Sequence, residues 1–146
     1  MKLITYADLT VGRVFELGSV VVDHDEMLAF NKRFDPQPFH TDEKAGAESI
    51  LGGMCASGWF TAGLWMRAYV ETVLSNAAAL GSPGGSDIRW PAPVYPGDKL
   101  DMRVEVEAAR LSRSRPEMGL VQLTGTSWRG SDLVLSFTFT GMFGVA

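Results

Sequence analysis

A chain of 146 residues, 46% hydrophobic and 10% aromatic, carries enough apolar material for a core of its own and has the length of one domain, expected to span 1–146. Its formal charge of -4 supplies no general basic field, which argues against nucleic acid or an anionic membrane surface as a partner for the chain as a whole. A single cysteine, Cys55 in an apolar run, rules out an intrachain disulfide framework, suits a reducing compartment and reads as a buried, inert thiol.

The opening residues, MKLITYADLTVG, reach Tyr6 and Asp8 before any apolar run of signal-peptide length. The longest weakly polar run, Ile50 to Met66, falls short of the roughly 20 residues a membrane span needs. A cytoplasmic protein is expected. Asp23, with Glu26 three residues on, has capping-box spacing, and Met27, Phe30 and Phe34 then share one face of a helix of about three turns. Pro36 disfavours the helical region for Asp35 and donates no backbone hydrogen bond, so the chain leaves the helix there and Asp35 stands at its end in a stiff loop. His24, flanked by Asp23 and Asp25, reads as a solvated cap and not as a metal ligand, because three consecutive residues project in different directions.

Thr41, followed by Asp42 and Glu43, marks a second helix start, cut short by Gly46 and Gly52–Gly53. From Ser57 to about Ser75 the chain is apolar on nearly every face of a helix, with Ser57 as cap and only Arg67 and Glu71 charged. The stretch GSPGGSD reads as a flexible loop. Beyond it the period changes to two: Leu100, Met102, Val104, Val106 and Ala108 alternate with charged residues, Leu120 to Trp128 forms a further strand, and Leu133, Leu135, Phe137 and Phe139 alternate with Val134, Ser136, Thr138 and Thr140. The expected class is α+β: a curved antiparallel sheet wrapped around one long central helix, with a second subunit completing the cover if the sheet alone does not.

The loop Asp35-Pro36-Gln37-Pro38-Phe39-His40 resembles the hydratase signature of the MaoC-like dehydratase family: an acid, any residue, an asparagine, a proline, any residue and a histidine. Gln37 departs from it, standing where the signature has asparagine. ASGWFTAGL is similar to the start of that family's central helix, and WPAPVYPGDKL to its proline-rich approach to a strand. The resemblance implies a hot-dog fold, a homodimer with acyl-CoA sites between subunits, and reversible hydration of a trans-2-enoyl-CoA to the (R)-3-hydroxyacyl thioester. No cofactor is implied beyond the CoA carried by the substrate.

Such chemistry needs a base for water, an acid for the alpha carbon and a donor for the thioester oxygen. Asp35 and His40 are the candidates for binding one water without a metal. Gly58 opens the buried helix and offers its N–H to the oxygen, with Ser57 as cap or donor and Gln37 as a further polar contact. Trp59 and Trp65 are simplest as core residues, although Trp59, beside Gly58, is also placed to line an acyl pocket. Arg110, Arg113 and Arg115 cluster between two strands of an acidic chain; hairpin solubility explains them, and a CoA phosphate contact by Arg113 and Arg115 is the sharper reading. Asp35 and His40 also have plain structural readings, as a turn former and a backbone-satisfied polar residue. Two further functions stay open: an acyl-CoA thioesterase, recognised by free thiol, and a non-catalytic acyl-CoA-binding protein, recognised by binding without turnover.

Overall fold

The computed structural model describes residues 2–146. In chain order the main elements are β1 (Val14–Val21), α1 (His24–Phe34), α2 (Pro38–Thr41), α3 (Glu43–Glu48), α4 (Gly58–Thr72), β2 (Ala79–Arg89), β3 (Lys99–Leu111), β4 (Met118–Arg129) and β5 (Asp132–Gly144). The strands form one antiparallel sheet in the order β1-β3-β4-β5-β2. It packs around α4, which touches β1, β3, β4 and β5.

The alternation in β3 sets the inner face, since Leu100, Met102, Val104 and Val106 are buried while Asp101, Arg103, Glu105 and Glu107 are exposed. Contrary to the unbroken period read from the sequence, a bulge between Val106 and Ala108 turns Ala108 out to solvent and brings Ala109 against the core. In β5 a register shift opposite Ser127 and Trp128 buries Val134 as well as Leu135, so Val134 does not lie on the polar face expected for it. The two residues enter different apolar clusters. Leu135 packs with Trp65, Tyr69 and Val73 under the centre of the sheet, and Val134 with Met27, Phe60, Val94 and Leu100 under the start of α4.

Asp23 caps α1 by accepting from the Glu26 N–H at 2.9 Å. The inner face of α1 differs from expectation at one position: Met27 is buried and Phe30 half-buried, but Asn31 is fully buried where Phe34 was expected, and Phe34 is exposed under the Arg33 guanidinium. The next helical start is also shifted. Pro38 opens the single turn α2, and Asp42, not Thr41, caps α3. Gly46 lies inside α3 instead of ending it; a Cβ there would fall 2.4 Å from the backbone nitrogen of Met54, so glycine is what lets the following loop pack close.

Two other elements depart from the sequence reading. The edge strand β1 was not anticipated, because Gly18, at φ +87° beside a bulge, breaks its alternation. GSPGGSD is the middle of β2, not a loop: it pairs with β5 through three register shifts, with Gly81 and Gly84 at positive φ absorbing the irregularity. α4 is shorter than Ser57–Ser75 and is buried on one side only, by Phe60, Thr61, Trp65 and Tyr69; Trp59, Met66 and Val70 are exposed. Among the described residues, no helix is long and apolar enough to cross a membrane.

Candidate active site

The loop after α1 is shaped by its own backbone. The Asp35 N–H donates to the Asn31 carbonyl, the Gln37 N–H to the Asp35 carbonyl and the His40 N–H to the Gln37 carbonyl, at 2.8–2.9 Å. Pro38 pre-sets the first turn of α2, which carries His40 inward while Asp35 stays at the rim. The result brings His40 Nε2 to 3.4 Å from Asp35 Oδ2, with the imidazole almost fully buried and the carboxylate partly so.

The other imidazole nitrogen fixes the tautomer. His40 Nδ1 lies 2.7 Å from the Cys55 carbonyl oxygen, which only accepts, so Nδ1 carries a hydrogen and, in the neutral ring, Nε2 on the Asp35 side is the bare nitrogen. The Phe39 ring meets the imidazole edge-on at 4.6 Å and limits its rotation. Asp35 is held by Gln37, whose Nε2 donates to Asp35 Oδ1 at 2.7 Å. Burial pushes the Asp35 carboxyl up, but hydrogen bonds from Gln37 and Ser57, with the neighbouring His40, outweigh it and hold the group below its ordinary 3.8. Asp35 is therefore an anion at neutral pH. Gln37 thus reaches the acid directly.

Gly58 opens α4 and its N–H has no protein acceptor among the described residues. Ser57 caps the helix, accepting from the Trp59 N–H at 3.3 Å, and is fully buried. The space a Cβ would take at Gly58 is filled by Trp90, whose ring atom Cε2 would be 2.4 Å away, and the Trp90 Nε1–H donates to the Gly58 carbonyl at 2.9 Å. Trp59 is exposed and does not belong to the core; it stands edge-on to Trp90 at 5.2 Å.

Asp35, His40, Gly58, Trp59 and Trp90 border one cavity of about 390 Å³, walled on the far side by Pro91–Val94 and Val134. That wall is pinned at its Pro93–Val94 end. The Ala56 N–H donates to the Val94 carbonyl at 2.8 Å, and Arg129 donates to the Pro93 carbonyl at 2.7 Å and to Asp98 at 2.8 Å. Cys55 also borders the cavity, but burial pushes its thiol pKa up, which disfavours a thiolate nucleophile. A second cavity, about 490 Å³ and almost wholly apolar, lies between α4 and the β5–β2 edge and meets the first at Trp59.

Arg113 and Arg115 are in the turn between β3 and β4 and do not border the Asp35–His40 cavity of their own chain. His24 is paired through Nδ1 with Asp25 and through Nε2 with Glu43, linking α1 to α3 on the surface; Asp25 and Glu43 raise its pKa. Asn31, Trp90 and Arg129 were missed in the sequence. Asn31 was findable, standing four residues after Met27 on the inner face of α1, whereas Trp90 and Arg129 act through contacts distant in sequence.

Comparison with known proteins agrees with this architecture. The MaoC-dehydratase family model, described as a MaoC like domain, matches residues 7–126. A MaoC-like dehydratase from Rhodospirillum rubrum superposes with a TM-score of 0.90 at 34% identity, covering 97% of each chain. The unliganded (R)-hydratase PhaJ1 of Pseudomonas aeruginosa gives 0.77 at 20% identity over 99% of this chain and 88% of that one, a likeness of fold. A Mycobacterium tuberculosis protein with a double hot-dog fold gives 0.81 at 20% identity, with 97% of this chain matching 44% of that one, so the sheet wrapped on α4 corresponds to one hot-dog unit. With the family model spanning most of the chain and the dehydratase matching it from end to end, this protein belongs to the MaoC-like domain family and has its hot-dog fold.

Proposed function

We propose that the protein adds water reversibly across the double bond of a trans-2-enoyl-CoA thioester to give the (R)-3-hydroxyacyl-CoA. The observation that carries the reading is the placing of the Asp35 carboxylate and His40 Nε2 3.4 Å apart on a cavity that is also bordered by Gly58, whose N–H at the start of α4 has no protein acceptor among the described residues. Family membership and a structural relative named as an (R)-hydratase support it.

A water seated against Asp35 Oδ2 and His40 Nε2 donates a hydrogen bond to each, leaving its own lone pair for attack. As its oxygen bonds to C3, one of its protons passes to the Asp35–His40 pair. The electron pair of the double bond moves toward the thioester, and the charge reaching the carbonyl oxygen is met by the Gly58 N–H and the positive end of α4. A proton from the pair then goes to C2. The elements of water are added and the pair returns to its starting state.

In this reading the site is completed by a second copy of the chain, with Arg113 and Arg115 meeting the CoA phosphates across the interface. The deciding experiment incubates the protein with trans-2-enoyl-CoA thioesters of graded length and follows both loss of conjugation and release of thiol. Loss of conjugation without thiol is the expected result. Thiol release makes the protein a thioesterase, and binding with neither change makes it an acyl-CoA-binding protein.

A further inference from the structure

We propose that Asn31 is a positioning residue that ties the acid–base half of the site to the oxygen-binding half. Its side chain is fully buried inside α1, where the helical pattern after Met27 asks for an apolar residue. An amide at such a position is costly unless its hydrogen bonds are made. They are made, and every partner belongs to the site. Asn31 Nδ2 donates to the His40 carbonyl at 2.8 Å and to the Cys55 carbonyl at 3.2 Å, while Oδ1 accepts from the Ser57 N–H at 3.1 Å. Its backbone carbonyl accepts from the Asp35 N–H at 2.9 Å.

The amide orientation is fixed by these partners, since a flip would set Oδ1 against two carbonyl oxygens and Nδ2 against an N–H. One residue thus touches the acid, the turn that carries the imidazole, the carbonyl that orients the ring, and the residue before the free Gly58 N–H. The Cys55 carbonyl is the decisive member. It receives both Asn31 Nδ2 and His40 Nδ1, so Asn31 holds in place the acceptor that keeps hydrogen on Nδ1 and a lone pair on Nε2.

The kinetic part of this proposal rests on the hydratase reading; the imidazole part does not. The test compares the parent with Asn31→Ala and Asn31→Ser, using crotonyl-CoA hydration and ¹⁵N NMR of the His40 ring. In the parent, Nδ1 is protonated and Nε2 bare when the ring is neutral. In Asn31→Ala the two tautomers mix, kcat falls by about tenfold or more and KM changes by less than about threefold, because geometry at the reacting atoms is lost and binding is not. Asn31→Ser, which keeps a small hydrogen-bonding group, lies between. A folded Asn31→Ala with the parent's ring nitrogens and the parent's kcat overturns the proposal, leaving Asn31 a core amide. If Asn31→Ala does not fold, Asn31→Ser decides by the same measurements; if neither folds, the role is structural and the proposal fails. A parent that hydrates no enoyl thioester removes the hydratase reading, and the ring nitrogens then decide Asn31 by themselves.

Discussion

Asp35 is pulled two ways, by burial that favours the neutral acid and by hydrogen bonds that favour the anion, and the bonds win. A carboxyl depressed in the folded state stabilises the fold at pH above its unfolded value near 3.8, and that contribution is lost as pH falls through the lower folded value. The stability difference between the parent and Asp35→Asn, followed by chemical denaturation, should therefore be flat above about pH 5 and shrink below pH 4. Catalysis reports the same residue differently. Asp35→Asn keeps the shape without the charge, and His40→Ala removes the imidazole, so each single change should lower kcat for a good enoyl-CoA by roughly 10²- to 10⁴-fold. On the proposed reading both groups act through one water, so the double variant should lose far less than the product of the two. Either single variant, folded and hydrating at the parent rate, would reduce FDPQPFH to a plain turn.

The start of α4 shows where an element-level reading succeeded for a partly different reason. Ser57 as cap and Gly58 as first helical residue were legible from local chemistry, but the residue that fills the space beside Gly58 is Trp90, 32 positions away. Gly58→Ala should accordingly destabilise the fold by about 1–3 kcal/mol through overpacking. In a Trp90→Ala background the same substitution should cost much less, which thermal or urea unfolding of the four proteins of the cycle will show. Equal costs in both backgrounds would mean that the glycine serves something other than the indole. The same distinction runs through the chain. Asp23, Ser57 and the charged alternation of β3 are local signals and could be read as such. β1 and the strand inside GSPGGSD depend on bulges, positive-φ glycines and partners distant in sequence, none of which periodicity records. The site divides likewise: Asp35 and His40 lie in one short motif, whereas Arg129, which pins the cavity wall, is reached only through the fold.

At the scale of the molecule, among the described residues, one side of α4 and the whole of β2 are exposed. Trp59, Met66 and Val70 of α4 and Leu80 and Ile88 of β2 are exposed, and β2 is an edge strand with an unpaired side. A second copy placed edge to edge would cover both features in one self-complementary interface and complete the cavity. Sedimentation equilibrium at micromolar concentration should then give a dimer, and Val70→Glu, which puts a charge on the exposed face of α4, should give a folded monomer with little activity. A monomeric parent would end the argument from the interface. The proposed CoA contact depends on that interface, because Arg113 and Arg115 do not border the cavity of their own chain. Replacing both with alanine should raise KM for enoyl-CoA by about tenfold or more, a charge-assisted contact being worth about 1.5–3 kcal/mol. A truncated enoyl thioester lacking the nucleotide separates this role from a structural one: its kcat/KM should stay at the parent level in the double variant. Equal losses on the full and truncated substrates would return the arginine cluster to its simpler role as a solvated hairpin.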